Sequence, residues 1–223
     1  MIGVISRHHW RQPALVAALL LCAGCVAVEQ ERIREYNEDG IYLFRRGDYV
    51  AARESFKAAL ALEPEDPGLM YNIGECHDRL GKAEKAEKFY KECLLRVPNH
   101  PDCRHALTVL LVRQGRRPEA QGLVNDWMAR EPGMAAPYAE DGWLLHEAGD
   151  LPRARTRLQQ ALDIDPHDVR TLTELARVYE DMNRPDRALV LYEQALERDP
   201  RRTELTERVN FLLAKGAGRP RPD

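Results

Sequence analysis

A chain of 223 residues is long enough for one or two ordinary domains or for a short array of repeats. Only 7% of residues are aromatic while 31% are charged, and Leu and Ala abound, which suits water-exposed helices and argues against a β-sandwich. The net charge of −3 gives no electrostatic reason to bind nucleic acid, and no basic face interleaved with aromatics occurs.

The first thirteen residues contain Arg7, His8, His9 and Arg11 and no acid. Ala14 to Gly24 then form an apolar or small-residue run of eleven. As a helix it covers about 17 Å, against a hydrocarbon core of roughly 30 Å, and Glu29, Glu31 and Arg32 prevent its extension. Residues 1–24 therefore read as a secretory signal. Ala23 and Gly24, directly before Cys25, resemble the bacterial lipobox, with Cys22 standing where that motif has Leu. The resemblance implies cleavage before Cys25 and lipidation of that residue, with 25–32 as a tether. By the same resemblance, Val26 rather than Asp after the cysteine implies the periplasmic face of the outer membrane. A redox use of Cys22 and Cys25 would need a βαβ setting, which the sequence lacks. Loss of the leader removes two Arg and leaves a charge of about −5.

The remainder repeats with a period of 34 residues. Pro64, Pro98, Pro132, Pro166 and Pro200 keep that beat, as do Ala52, Ala86, Ala120, Ala154 and Ala188. A third column reads Gly47, Gly81, Gly115, Gly149 and Asn183, and a fourth Gly40, Gly74, Thr108, Gly142 and Ala176. Each column predicts a structural role. The third should end a first helix, A, at positive φ. The fourth should sit inside helix A and let a second helix, B, approach closely, with the Ala column serving the same contact from helix B. Pro118 and Pro152 fall in the first turn of helix B, where Pro is tolerated, and the closing Pro stops that helix.

This pattern resembles the tetratricopeptide repeat. The resemblance implies an all-α fold, a right-handed α-solenoid of five tandem helix hairpins spanning 33–66, 67–100, 101–134, 135–168 and 169–202. Residues 203–215 repeat the helix A pattern with more polar positions, as a capping helix does at the open end of a solenoid. Residues 216–223 read as a disordered tail.

Chemistry is sparse in the sequence. Cys76, Cys93 and Cys103 stand where the family usually has Ala, which predicts small apolar filling. Cys93 ends one helix B and Cys103 begins the next helix A, so they are the candidate disulfide if the chain is exported. His100, Cys103 and His105, taken with Cys76 and His77, match no closed tetrahedral set, so no metal is expected. No nucleophile elbow, phosphate loop or zinc-protease motif occurs, and the dispersed carboxylates read as solvated helix faces.

The resemblance also implies a concave face lined by positions 2, 5, 9, 12 and 13 of each helix A. Position 13 reads Arg45, Arg79, Arg113, Glu147 and Asp181, beside Ile41, Phe44, Tyr71, Val109, Val112 and Trp143. The expected groove has an apolar floor, a positive N-terminal half and a negative C-terminal half. A row of Arg suits carboxylates, so the expected occupant is an extended or helical segment of a partner protein. A ladder of solvated charges with no ligand is the competing reading. The carboxylate clamp of chaperone-binding arrays is missing, since Asn37 is followed by Ile41 and Tyr71 by Glu75.

The resulting expectation is a non-enzymatic interaction scaffold, without cofactor or small-molecule substrate, held at the membrane by lipid on Cys25. It would support assembly of a pilus, secretion or other envelope complex. Two alternatives stay open. One is a self-associating structural envelope protein whose apolar floor is a homodimer contact; the other is a cytoplasmic adaptor whose leader is not a signal.

Overall fold

The computed structural model describes residues 12–218, with side chains from Val28 onward. The first eleven residues of the predicted leader, the side chain of Cys25 and residues 219–223 of the predicted tail lie outside the described residues.

Eleven helices and no strand are found among the described residues: α1 (Gln12–Arg45), α2 (Tyr49–Leu62), α3 (Pro67–Arg79), α4 (Ala83–Arg96), α5 (Pro101–Arg113), α6 (Arg117–Arg130), α7 (Ala135–Glu147), α8 (Leu151–Ile164), α9 (Val169–Asp181), α10 (Pro185–Arg198) and α11 (Thr203–Ala214). They form five A/B pairs followed by one further helix. The segment 25–32 is part of α1, continuous with the first helix A. Its seven residues after Cys25 therefore span about 10 Å, less than half of their extended reach of about 25 Å. Among the described residues no helix is long and apolar enough to cross a membrane.

The turn within each pair follows from one backbone requirement. Gly47, Gly81, Gly115 and Gly149 have φ of +83°, +70°, +75° and +78°, and Asn183 takes +58° in the fifth pair. At the first turn Gly47 N–H donates to the Phe44 carbonyl (3.0 Å) and Asp48 N–H to that of Leu43 (3.1 Å). This doubled closure satisfies carbonyls that the end of helix A leaves open, and it turns the chain back antiparallel. Asp48, Asp66, Asp150 and Asp168 then cap the following helices by accepting from the backbone N–H of Ala51, Leu69, Arg153 and Thr171.

The internal glycine column marks where helices A and B touch. A Cβ added to Gly40 would lie 2.5 Å from the Phe56 ring, one on Gly74 2.5 Å from the Tyr90 ring, and one on Gly142 2.6 Å from Leu158 Cγ. Phe56, Tyr90 and Leu158 all occupy the same position of helix B, so the missing side chain on one helix houses the large one on the other. Thr108, which replaces the glycine in the third pair, is buried, and its hydroxyl donates to the Arg104 carbonyl at 2.8 Å.

The chain divides into two compact units, 1–110 and 111–223. In the first, one cluster contains Ala52, Phe56, Ala59, Leu69, Ile73 and Cys76, and another Met70, Cys93 and Cys103. The second unit has a continuous core from Leu145 to Leu212, including Leu158, Leu175, Leu189 and Tyr192. Leu205 and Leu212 of α11 belong to it, so the last helix closes this core as its pattern predicts.

The carboxylates depart from expectation. Glu140, Asp141 and Glu174 were expected on solvated faces but are 3%, 4% and 8% exposed. The reason is that each meets a cation presented by another helix. Glu140 accepts from Arg170 (2.9 Å), Asp141 from Arg157 (2.7 Å) and Glu174 from His146 (2.6 Å). Arg117 of α6 also reaches the carbonyls of Leu144 and Glu147, both at 3.3 Å, at the C-terminal end of α7.

Candidate peptide-binding positions and the Cys93–Cys103 crosslink

The predicted groove residues fall in both units. Ile41, Phe44, Arg45, Tyr71, Arg79 and Val109 belong to the first, and Val112, Arg113 and Trp143 to the second. In the first unit the structure brings together Phe44 and Arg79, which come from successive repeats. The guanidinium of Arg79 lies 5.7 Å from the Phe44 ring centroid, and Tyr49 meets the same ring edge-on at 5.1 Å. Arg45, Arg79 and Ile41 are exposed. The Arg79 guanidinium thus lies over the Phe44 ring, and with the exposed Arg45 and Ile41 it makes a basic, partly apolar surface that suits a carboxylate-bearing segment. Tyr71 is half-buried, its ring packed against those of Tyr90 (6.2 Å) and His100 (6.3 Å). Tyr90 in turn donates its hydroxyl to Glu75 at 2.6 Å. Burial, with the Glu75 carboxylate beside it, pushes the Tyr90 phenol well above its ordinary pKa. In the same unit a cleft of about 360 Å³ lies where α1 meets the start of α3, and Asn37 and Asn72 are 3.5 Å apart in it.

In the second unit a cleft of about 370 Å³ is lined by His146, Thr173, Arg177, Glu180, Asp181 and Arg208. His146 stands at position 12 of its helix A, and Thr173, Arg177, Glu180 and Asp181 at positions 5, 9, 12 and 13 of theirs. Only Asp181 was singled out from the sequence. Following the polar residues at positions 5, 9 and 12 as closely as position 13 would have found His146, Thr173, Arg177 and Glu180, whereas Arg208 of α11 stands at none of these positions.

The acids here are paired, so the surface is mixed in sign. His146 donates from Nδ1 to Glu174 (2.6 Å) and from Nε2 to Asp181 (2.8 Å). The Glu174 hydrogen bond is the main reason that its pKa rises to about 9, with Asp181 adding to it against burial. Glu180 accepts from Tyr192 (2.7 Å) and from Arg208, which approaches with two nitrogens. Burial first, and then that bond, raise the Tyr192 phenol above its usual range.

The raised His146 pKa has a consequence for stability. The folded state holds the imidazolium more tightly than the unfolded chain, whose histidine titrates near 6.5. The stabilisation is therefore complete below about pH 6.5 and is lost as pH rises through about 9. Allowing for solvent screening, it amounts to about 1–2 kcal/mol. Urea denaturation of the wild type and His146→Gln across this range should show a stability gap at pH 6 that closes by pH 10. A gap independent of pH would refute the pairing.

The cysteines separate into two kinds. Cys76 is fully buried, and burial pushes its thiol up to about 12, consistent with packing. Its neighbour His77 stacks on Phe89 at 5.6 Å and is held below its ordinary pKa chiefly by burial. The structure places Cys93 of α4 and Cys103 of α5 in a disulfide, with Cα atoms 6.5 Å apart.

Comparison with known proteins agrees with this architecture. A family model described as tetratricopeptide repeat matches residues 43–102 and 145–207, more than half of the chain, and another of the same description matches 101–125. A cellulose synthase operon protein C of Xanthomonas axonopodis pv. citri is 29% identical over 185 residues, covering 78% of this chain and 12% of that protein. Its namesake in Pseudomonas fluorescens is 27% identical over 179 residues, covering 77% of this chain and 14% of that protein. The chain thus spans only a small part of the length of these two relatives. The crystal structure of a thermophilic TPR protein from Thermus thermophilus superposes with a TM-score of 0.65 at 27% identity, covering 82% of this chain and 99% of that one. The 34-residue beat, the paired helices and these matches lead to one conclusion: the chain belongs to the tetratricopeptide repeat family, and its fold is the all-α tetratricopeptide solenoid.

Proposed function

We propose that the protein is a non-enzymatic adaptor that holds an acidic, extended or helical segment of a partner protein against helix A side chains of its repeats. The observation that carries this reading is the Phe44–Arg79 contact, in which an exposed guanidinium of one repeat lies over an aromatic ring of the repeat before it. In the same reading Cys25 carries lipid after removal of the leader, and the short helical segment behind it keeps the repeats close to the membrane. The basic leader, the eleven-residue apolar run and Ala23-Gly24-Cys25 support that address. A place in the assembly of a pilus, secretion or other envelope complex follows from a scaffold tethered there.

Crosslinking in the native envelope followed by mass spectrometry identifies the partner, and capture assays with it then test the surface. Reversing Arg45, Arg79 and Arg113 to Glu together should weaken capture by about tenfold or more, most of it at low salt. Undiminished capture by a folded triple variant would falsify the groove. Incorporation of a fatty-acid analogue into the wild type, but not into Cys25→Ser, tests the tether; equal labelling of the two would remove it.

A further inference from the structure

We propose that the reduced chain binds a zinc ion between Cys93, His100 and Cys103, so that metal and disulfide are alternative occupants of one crosslink. The sulfurs of Cys93 and Cys103 and a ring nitrogen of His100 all lie within 4.8 Å of one another. This set differs from the grouping with Cys76 and His77 that the sequence suggests, because α4 ends beside the start of α5 and Cys76 faces a different core cluster. The spacing is C-x6-H-x2-C, with His100 directly before α5 and Cys103 in its first turn.

Three properties fit zinc. Two thiolates and one neutral imidazole balance its charge, so the occupied site is neutral where Met70, Leu60, Phe89 and Leu94 surround the sulfurs. Both cysteines are fully buried, whereas His100 is half-buried, leaving a side through which an ion and one water, the fourth ligand, can enter. The His100 ring is already positioned by its stack on Tyr71, and the bond that its Nδ1 accepts from the Cys103 amide is long, 3.4 Å, so it gives way readily when that lone pair turns to the ion. A Cα separation of 6.5 Å stands toward the wide end of the disulfide range of roughly 4.4–6.8 Å, so the sulfurs can part around an ion with little backbone movement. The exchange balances: a dithiol gives two electrons and two protons to the disulfide and closes to its own disulfide. Zinc then displaces the two thiol protons. Oxidation of the two thiolates by a disulfide donor releases the ion.

The test uses the full chain, reduced with a phosphine and desalted without oxygen, and titrated with Zn2+ against a chromophoric chelator. Co2+ serves as a second probe because thiolate ligation gives it an intense near-ultraviolet charge-transfer band. The reduced wild type and Cys76→Ala should each bind one ion, and the oxidised wild type none. Cys103→Ser should lose the charge-transfer band characteristic of two thiolates. His100→Ala keeps the disulfide, so its fold is verified in the oxidised form, and once reduced it should bind at least about tenfold more weakly. Absence of stoichiometric binding by the folded reduced chain overturns the proposal, as does equal binding by the oxidised chain or by reduced His100→Ala.

Discussion

Replacing Arg157 with methionine is expected to destabilise the second unit by about 3–5 kcal/mol, the usual cost of leaving a buried charge without its partner. Asp141 of α7 has a side chain only 5% exposed. Its carboxylate accepts from Arg157 Nε of α8 at 2.7 Å and from Gln121 Nε2 of α6 at 2.8 Å. One acid thus joins three helices drawn from two successive repeats. Methionine keeps the aliphatic stem of Arg157 but leaves the carboxylate with a single neutral donor. The companion variant Asp141→Leu/Arg157→Met removes both charges and should recover most of the loss, since a buried pair replaced by apolar groups is often nearly neutral. Urea unfolding followed by the fluorescence of Trp127 and Trp143, both in this unit, reads the effect. Equal stability of the single and double variants would show that the pair is solvated and that the burial of Asp141 carries no energetic weight.

Backbone demands were legible in the sequence, and cross-helix pairings were not. Gly47, Gly81, Gly115 and Gly149 announce themselves because positive φ can be met by very few residue types, so the same letter recurs every 34 residues. Asn183 obeys the same rule with the next best residue. Gly40, Gly74 and Gly142 recur for a steric reason of equal stringency. Glu140, Asp141 and Glu174 offer no such signal, because a carboxylate on a helix reads as solvated until the cation opposite it is known. Their partners across the helices lie at sequence distances that differ from pair to pair: Arg170 for Glu140, Arg157 for Asp141 and His146 for Glu174, which Arg177 of the same helix also meets. His146 escaped notice for the same reason. The cleft it lines was foreshadowed by position alone, and its charge balance depends on pairings that no single helix displays.

Reduction of the Cys93–Cys103 disulfide is expected to lower the stability of the first unit by about 3 kcal/mol, the chain-entropy value for so short a loop. The two cysteines are ten residues apart and tie the end of α4 to the start of α5, across the junction of the second and third repeats. In a repeat protein stability is a sum of repeat and junction contributions, so the loss should appear as early unfolding of this junction rather than of the whole chain. Hydrogen exchange followed by mass spectrometry resolves it: reduction should speed exchange in α4 and α5 while leaving α9 and α10 unchanged. The variant Cys93→Ala/Cys103→Ala should exchange like the reduced wild type and ignore reductant. Cys76 does not confuse the comparison, since it is buried, its thiol is pushed up to about 12, and it forms no crosslink. Uniform protection with and without reductant, in a chain whose two thiols are shown to be free, would rule out the crosslink as a stabilising element. Adding zinc to the reduced wild type should slow exchange in α4 and α5 again, and adding it to the double alanine variant should not. The junction is held together in both redox states only if one pair of sulfurs can close first on itself and then on a metal.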